Sequence, residues 1–209
     1  VEGDRELWDL MVDSIVSAGY KNRVGIQVDV AAGTYYDKEK DRFVGLFSKG
    51  DKTKEDLIEL YKDMAANYPF VILEDPLDEV DYEGHALLTK ELGIQVVGDD
   101  LFTTNIERLQ CGIEVGACNT VLLKVNQIGT ITEAFDFALL AYRHGYGVMP
   151  CSSRGEGQDL ADYCVGLNTG TVRESGIDPA GNRFLAIEHE LGTRAKFLGK
   201  EGFKPSGTR

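Results

Sequence analysis

The sequence lacks any apolar run close to the roughly 20 residues that a membrane-spanning helix requires, and no signal-peptide pattern opens the chain. Cysteine is scarce, and no Cys-X-X-Cys pair occurs among Cys111, Cys118, Cys151 and Cys164. The absence of a span, of a signal peptide and of a paired-cysteine framework predicts a cytoplasmic protein with reduced thiols.

Positive charge is also in deficit, since 22 lysine and arginine residues stand against 35 aspartate and glutamate residues, for a net charge of −13. A chain this acidic does not attract nucleic-acid phosphates or anionic lipid by its overall field, so we expect neither as a partner. A small anion can still bind at a local cluster of basic side chains or through a bound cation. With 209 residues, of which 43% are hydrophobic, the chain can form one large domain or two small ones around a core.

Short apolar runs alternate with helical patterns along the chain. The predicted strands cover residues 24–30, 70–73, 94–97, 120–123, 147–149 and 171–173, and the predicted helices cover 7–18, 56–66, 86–92, 106–115, 133–143, 159–167 and 183–191. Strands that are apolar on both faces and separated by amphipathic helices favour a parallel sheet of the α/β class. Both a TIM barrel and a doubly wound sheet fit this order of elements.

Almost every predicted strand carries a charged or hydroxyl residue at its carboxyl end; the residues are Asp29, Glu74, Asp99, Lys124, Ser152 or Ser153, and Arg173. In a barrel these ends converge on one rim, where the active site lies, whereas in an open sheet they are spread along an edge. The pattern therefore favours a TIM-type (β/α) barrel. A closed barrel has eight strands in about 250 residues, so we expect this chain to hold about six of the eight.

Three of these strand ends are acids, and the next one is a lysine. A single acid at a strand end is more often a helix cap or part of a loop ion pair, a role that fits the second acid of a pair, such as Asp75. Asp29, Glu74 and Asp99, at three successive strand ends, instead predict carboxylates around one point of the rim. Converging carboxylates repel one another, so the cluster favours a hard divalent cation, of which Mg²⁺ is the natural choice. Beside such a cation a protonated Lys124 is disfavoured, so this lysine can serve as a general base.

Several longer motifs in the chain are recognisable. They are Glu74-Asp75-Pro76, Gly98-Asp99-Asp100-Leu101 with Thr104-Asn105, Leu122-Leu123-Lys124-Val125-Asn126-Gln127-Ile128-Gly129-Thr130, Gly145-Tyr146-Gly147-Val148-Met149 and Val165-Gly166-Leu167-Asn168-Thr169-Gly170. Together they resemble the enolase (phosphopyruvate hydratase) family, and the motif around Lys124 is the most specific of them. The resemblance covers essentially the whole chain. It implies that residues 1–209 are the C-terminal part of the enolase barrel domain, without the N-terminal capping domain and the first barrel strands.

The resemblance implies a magnesium-dependent dehydration of 2-phosphoglycerate to phosphoenolpyruvate, a step of glycolysis. Asp29, Glu74 and Asp99 match the family's Mg²⁺ ligands, with Glu74 and Asp99 also beside the substrate, and Lys124 matches the base that removes the C2 proton. The glutamate that acts as general acid in the family lies outside this chain, so we expect no turnover from this chain alone. We expect the full-length protein to be a homo-oligomer.

The segment from Cys151 to Gly157 departs from the family pattern. Enolases carry Ser-His-Arg-Ser-Gly-Glu-Thr here, whereas this chain has Ser152 in place of the histidine, and Ser153 and Arg154 offer the arginine and serine groups in reversed order. These three residues are the expected substrate-binding residues of the loop. We expect Ser153 and Arg154 to bind the phosphate in altered geometry, with the Arg154 guanidinium pointing into the rim. The alternative is an ion pair of Arg154 on its own loop.

Arg173 matches a lysine that binds the substrate carboxylate in the family. Arginine can bind a carboxylate through two parallel hydrogen bonds, although it differs from lysine in shape and hydration. An ion pair between strands is the competing role for Arg173, and the sequence favours neither of the two.

Three hypotheses about function remain open from the sequence. The first is an enolase with a variant phosphate loop, and the second is an enolase-like enzyme that acts on another phosphate- or phosphonate-bearing carboxylic acid. In both, the partner is a small phosphorylated carboxylate or its phosphonate analogue. The third is a non-catalytic binding protein on an enolase scaffold, which would have little reason to keep three acids and Lys124.

Overall fold

The computed structural model describes residues 3–47, 49–174 and 178–204. Its elements in chain order are α1 (Asp4–Ser17), β1 (Ile26–Asp29), a 3₁₀ turn (Ala32–Tyr35), β2 (Tyr36–Asp37), β3 (Arg42–Phe43), α2 (Lys54–Asn67), β4 (Phe70–Glu74), α3 (Tyr82–Leu92), β5 (Gln95–Gly98), α4 (Ile106–Val115), β6 (Thr120–Leu123), α5 (Val125–Ile128), α6 (Ile131–Arg143), β7 (Gly147–Pro150), α7 (Asp159–Gly166), α8 (Pro179–Leu191) and two further 3₁₀ turns (Gly192–Arg194 and Gly199–Gly202). None of the described helices combines the length and the apolar character that crossing a membrane requires.

Five parallel strands form the main sheet, in the order β1-β4-β5-β6-β7. Neighbours in the sheet are also successive along the chain apart from the short hairpin β2–β3, and helices lie between them. Each helix is the crossover that carries the chain back to the start of the next strand, so all five strands of this sheet point in the same direction. All the carboxyl ends therefore lie at one edge. Within the described ranges the sheet remains open between β1 and β7.

Five of the six predicted strands are confirmed, with bounds that shift by a few residues at most. The predicted strand over 171–173 is wrong, because only Arg173 pairs, through a single parallel bridge to Cys151. The Arg173 N–H donates to the carbonyl of Pro150 at 2.9 Å. A ladder that continued toward residue 171 would need an N–H from Pro150, and proline has none.

A short hairpin and a one-turn helix are among the elements that were not predicted. Hairpin β2–β3 pairs Tyr36 with Phe43, and each of its strands has two residues, too few to show a two-residue period. Helix α5 is a single turn that begins directly after Lys124 and ends at Gly129, whose φ is +110°. Glycine adopts this left-handed conformation without a steric penalty, so it ends the turn cleanly.

Local sequence signals set the helix starts. Thr53 and Asp56 form a reciprocal capping box at α2, in which each side chain accepts a hydrogen bond from the other's backbone N–H. Asn105 caps α4 by accepting from the N–H groups of Glu107 and Arg108. These caps satisfy backbone donors that a helix start leaves free, and they fix where each loop at the sheet edge ends.

The sheet is buried on both faces, as its apolar strands predict. Side chains alternate along a strand, so Leu73, Val96, Val121 and Val148 belong to the large core beneath the helices. Their neighbours face the opposite side, where a second cluster forms from Ile72, Val97, Leu122, Met149 and Cys151, with Phe203 packed against it. Burial on both faces holds the strand ends, and hence the polar side chains that follow them, in fixed positions.

Candidate active site

Four of the predicted site residues come to one edge of the sheet. Asp29 and Glu74 are the last residues of β1 and β4 and are partners in the parallel register. Asp99 directly follows β5, and Lys124 directly follows β6. Because these strands are successive parallel neighbours, the four side chains occupy neighbouring positions on the same rim.

Arg173 joins the two acids at one end of this rim. Its Nη2 donates to Asp29 Oδ2 at 2.8 Å, and its Nη1 donates to Glu74 Oε1 at 2.9 Å. Gln27, two residues before Asp29 on β1, donates from Nε2 to Glu74 Oε2 at 3.2 Å. We call these four residues (Gln27, Asp29, Glu74 and Arg173) the arginine half of the site. The ion pair between strands that was weighed for Arg173 is present, whereas its contact with a substrate carboxylate stays a prediction.

A second ion pair lies further along the rim. Lys124 Nζ donates to Asp99 Oδ2 at 2.5 Å, and the two side chains are only 5% and 7% exposed. Gln127 donates from Nε2 to Asp99 Oδ1 at 3.1 Å, and the Thr104 hydroxyl donates to Gln127 Oε1 at 2.7 Å. We call these four residues (Asp99, Thr104, Lys124 and Gln127) the lysine half of the site. The predicted base thus faces one of the predicted metal ligands.

Asp75 lies between the two halves and holds the loop after β5. Its carboxylate oxygens accept from the backbone N–H of Asp99 at 3.1 Å and of Asp100 at 2.8 Å. This is a loop-holding role of the kind that the sequence suggested for the second acid of a pair. Asp75 itself is buried, so its contacts fix the main chain from which Asp99 projects.

Two sets of acids among the described residues could hold a metal ion, each with oxygens within 4.8 Å of one another. The first set is Asp29, Glu74 and Asp75, and the second is Asp75, Asp99 and Asp100. The three predicted ligands are therefore divided between two sets that share Asp75. A cation that binds Asp29, Glu74 and Asp99 together must therefore take ligands from both sets.

Burial dominates the electrostatics of these acids. It raises the pKa of Glu74 to about 9, with a further rise from the charge of Asp29 and an opposing effect from Arg173. Burial likewise raises the pKa of Asp75 to about 8, against the hydrogen bond from the Asp100 N–H and with a further rise from the charge of Asp99. Like charges in a buried site cannot all ionise without a compensating cation.

The donor set fits a hard divalent cation. Within the described part of the chain, Asp29 Oδ1 is buried without a hydrogen-bond partner, and Glu74 is fully buried. Buried polar atoms are normally paired, so an oxygen left over at a cluster of acids is a candidate ligand atom. All of the candidate ligand atoms are carboxylate oxygens, the type that Mg²⁺ prefers.

Backbone strain is concentrated along the same edge. The loops that follow β1, β4 and β5 contain non-glycine residues with a left-handed backbone: Ala31 (φ +44°), Asp75 (+41°), Thr103 (+47°) and Thr104 (+53°). Such conformations are uncommon outside glycine and are outliers for a β-branched residue such as threonine. They persist where surrounding contacts hold them, and they occur most often at functional sites.

The variant loop flanks the arginine half. A cavity of about 340 Å³ opens there, and its lining includes Gln27, Ser152, Ser153 and Arg173. Arg154 is exposed and is not among the residues that line this cavity, and a guanidinium that points into the rim stays a prediction. Its main chain holds the loop, since its N–H donates to Glu156 Oε2 and its carbonyl accepts from Asn126 Nδ2, both at 3.0 Å.

Sequence reasoning missed the amides and the hydroxyl that hold the acids. Gln27 stands two residues before Asp29, so the strand period already places both on one face. Gln127 lies one helical turn after Lys124, but α5 was not predicted. Thr104 belongs to a recognised motif, but its partner Gln127 is distant in sequence, so no local pattern shows that the two are in contact.

Comparison with known proteins adds an independent observation. The family model for the enolase C-terminal TIM barrel domain matches residues 1–206. Curated proteins named enolase from Methanococcus aeolicus and Methanocaldococcus jannaschii are each 46% identical to the chain, over 206 and 205 residues, and one from Pyrococcus furiosus is 43% identical over 203. The alignments cover 94%, 94% and 92% of this chain and 47% of each relative. The chain thus spans about half the length of the curated relatives it matches.

Proposed function

We propose a function from the premise that the chain belongs to the enolase family and has its C-terminal TIM-barrel fold. The natural protein that contains this chain is proposed to convert 2-phosphoglycerate to phosphoenolpyruvate and water. The observation that carries the proposal is the buried pair of Lys124 and Asp99, on the same rim as Asp29 and Glu74. A base, a cluster of acids and a neighbouring cavity are what proton abstraction beside a carboxylate requires.

The proposed cation site consists of Asp29, Glu74 and Asp99, with Asp75 shared by both sets of acids. A proton next to a carboxylate is very weakly acidic, and its removal places a second negative charge on that carboxylate. A Mg²⁺ ion held by these acids would supply positive charge that stabilises this second negative charge. The unpartnered Oδ1 of Asp29 supports this assignment.

Lys124 is proposed to take the C2 proton at Nζ. Strand β6 fixes its main chain, and its burial keeps bulk water away from Nζ. To take the C2 proton, Nζ must be the neutral amine, so the ion pair of Lys124 with Asp99 must first give up a proton. The proton taken from C2 then restores the ammonium, which Asp99 Oδ2 pairs with as in the structure. The C3 hydroxyl then leaves with a proton as water while the C2–C3 double bond forms, and the general acid that supplies this proton is not among the residues proposed here.

The substrate is proposed to occupy the cavity beside the arginine half. Ser152, Ser153 and Arg173 line it. Arg173 donates from Nη1 to Glu74 and to Cys151 Sγ and from Nη2 to Asp29, which uses three of the five N–H donors of its guanidinium. Arg173 can therefore contact a substrate carboxylate while its ion pairs persist. Arg154 is proposed to meet the phosphate from the outer side of the loop.

One observation favours the second candidate function, an enolase-like enzyme for another phosphate- or phosphonate-bearing acid. The loop lacks the family's histidine, and Arg154 lies outside the cavity that Ser152 and Ser153 line. A phosphate site built from two hydroxyls and an exposed cation differs in geometry from the family pattern. The cation and base assignments are the same in both candidates.

The test is to assay the complete natural protein with 2-phosphoglycerate and MgCl₂. Phosphoenolpyruvate formation that stops when the metal is chelated is the expected result. Tight Mg²⁺ binding with no phosphoenolpyruvate and no exchange of the C2 proton would refute the first candidate and favour the second. The same assay with phosphonate analogues of the substrate then separates the two.

A further inference from the structure

Thr104 holds an unfavourable backbone conformation in the buried part of the site. It lies in the loop between β5 and α4 with φ of +53°, next to Thr103 at +47°. A β-branched residue rarely adopts this conformation, and Thr104 is only 1% exposed, so its side chain cannot turn out to solvent. Specific contacts must therefore hold it in place.

The contacts of Thr104 form a closed chain of hydrogen bonds with the predicted base and metal ligand. The backbone N–H of Lys124 donates to Thr104 Oγ1 at 3.1 Å, and Thr104 Oγ1 donates to Gln127 Oε1 at 2.7 Å. Gln127 Nε2 donates to Asp99 Oδ1 at 3.1 Å. Asp99 Oδ2 accepts from Lys124 Nζ, so the chain returns to the lysine where it began.

The chemistry of the two end groups fixes the direction of every bond in this chain. An ionised Asp99 only accepts, so the Gln127 amide must present its NH₂ group to Asp99 and its oxygen to Thr104. The backbone N–H of Lys124 only donates, so the Thr104 hydroxyl accepts there and has its proton free for Gln127. No alternative orientation of the amide satisfies all four groups.

We propose that Gln127 and Thr104 are positioning residues that hold Asp99 in one rotamer, with one carboxylate oxygen fixed and the other facing Lys124. The proposal rests on the proposed function, in which Asp99 is a metal ligand and Lys124 is the base. Gln127 lies on the turn that follows Lys124, and Thr104 lies on the loop that follows Asp99. The two residues thus join the ends of β5 and β6, so that the ligand and the base move as one unit.

The proposal is tested by binding of MgCl₂ alone to the complete natural protein, measured by calorimetry. Gln127→Leu and Thr104→Val each remove one member of the chain at similar volume, and each should weaken Mg²⁺ binding by about 10–100-fold, the range typical of groups that orient metal ligands. Thr104→Ser keeps the hydroxyl and should restore binding to nearly the wild-type affinity. Gln110→Leu, an exposed glutamine on α4, is the matched control and should bind like the wild type.

Thr104→Gly separates positioning from general structural support. Glycine adopts the left-handed backbone without strain, which offsets part of the cost of losing the buried hydroxyl, so the unfolding temperature measured without metal should be no lower than that of Thr104→Val. It has no hydroxyl, so it should still lose Mg²⁺ affinity by as much as Thr104→Val. In the double variant Thr104→Val/Gln127→Leu the two losses should not add, because both single variants break the same chain.

Wild-type affinity in Gln127→Leu, or in Thr104→Gly, would overturn the inference, and so would losses that add fully in the double variant. These measurements need no substrate. A wild-type protein that binds Mg²⁺ but does not exchange the C2 proton of 2-phosphoglycerate would contradict the proposed function alone. The positioning inference would then still stand or fall on the affinities of the variants.

Discussion

The two halves of the site neutralise their acids with cations from very different parts of the chain. In the lysine half, Lys124 follows the strand next to the one that Asp99 follows, and both side chains are almost fully buried. In the arginine half, Arg173 reaches Glu74 and Asp29 from 99 and 144 residues away along the chain. Its side chain is 30% exposed, and that of Asp29 is 26% exposed.

This difference separates a fixed half from one that can rearrange. The main chain of Lys124 is continuous with a central strand, and the Thr104–Gln127 chain of hydrogen bonds braces it further. Arg173 is attached to the sheet by one isolated bridge beside a cavity. A side chain held in this way can move without breaking a strand. The proposed base is thus held rigidly, whereas we expect the proposed cation and substrate to exchange most easily at the arginine half.

The largest effect is expected from Lys124→Met, which breaks the buried pair. Asp99 is left as a buried acid without its cation, so the free energy of unfolding should fall by about 3–5 kcal/mol. Exchange of the C2 proton should fall by about 10²–10⁴-fold, the range for loss of a general base. Denaturant unfolding and isotope exchange in the complete natural protein measure the two effects. Exchange at a near-normal rate would show that another group is the base.

The pH dependence of Mg²⁺ binding should come from the arginine half and the shared Asp75. Burial raises the pKa of Glu74 from 4.5 to about 9, so without metal this carboxyl keeps its proton below pH 9. A ligand must lose that proton, so Mg²⁺ affinity should rise by up to about tenfold per pH unit toward pH 9 and then level off. Asp75, with its pKa raised to about 8, should steepen the rise below pH 8.

The stability of the protein without metal should change with pH in the opposite direction to Mg²⁺ affinity. A carboxyl whose pKa is higher in the folded state contributes stability that is fully present below pH 4.5 and is lost as the pH rises toward 9, where Glu74 ionises. Metal titrations and unfolding curves at pH 7, 8 and 9 check whether Mg²⁺ affinity rises and the free energy of unfolding falls with pH. Glu74→Gln is the control, because it cannot titrate and should bind Mg²⁺ weakly with a slope reduced by one proton. A wild-type affinity that is flat between pH 7 and 9 would contradict the assignment of Glu74.

The strand ends could be predicted from sequence because they depend on local patterns. Asp29, Glu74, Asp99 and Lys124 each end an apolar run, and the sheet places all four at one edge. The division of the acids into two sets could not be predicted, since it depends on Asp75, which turns back through a left-handed backbone to hold the neighbouring loop. Strand order gives the edge on which a side chain lies, but loop conformation gives its neighbours.

The single bridge of Arg173 shows the same limit. The apolar and β-branched residues before it resemble a strand, and pattern reasoning has no means to weigh the missing N–H of Pro150 on the neighbouring strand. The two possible roles of Arg173 also differ only in tertiary contacts. Its pairing with Asp29 and Glu74 joins residues too far apart along the chain for any local signal.

A smaller effect is expected from Arg173→Met, which breaks the partly exposed pair. The loss of charge-assisted hydrogen bonds should lower the free energy of unfolding by about 1–3 kcal/mol, less than in the lysine half. Mg²⁺ binding should become tighter, by about tenfold for each 1.4 kcal/mol of competition that is removed, because the guanidinium and a cation compete for the same two carboxylates, those of Asp29 and Glu74. Unfolding and calorimetry on the complete natural protein test both. Weaker Mg²⁺ binding would show that Arg173 supports the site rather than competing for it.

The smallest change in stability is expected from Arg154→Ala, because its side chain is exposed and its loop is held by main-chain contacts that alanine keeps. The free energy of unfolding should stay within about 0.5 kcal/mol of the wild type.

If Arg154 meets the substrate phosphate, KM for 2-phosphoglycerate should nevertheless rise by the equivalent of about 1.5–3 kcal/mol, the strength of a hydrogen bond to a charged group. Ser153→Ala should raise KM by less, because a neutral hydroxyl donates a weaker bond. An unchanged KM in Arg154→Ala, with Ser153→Ala still impaired, would place the phosphate inside the cavity with the hydroxyls. Among the described residues of this rim, the guanidinium for the substrate would then come from Arg173 in the arginine half, and the two halves would differ in substrate binding as well as in stability.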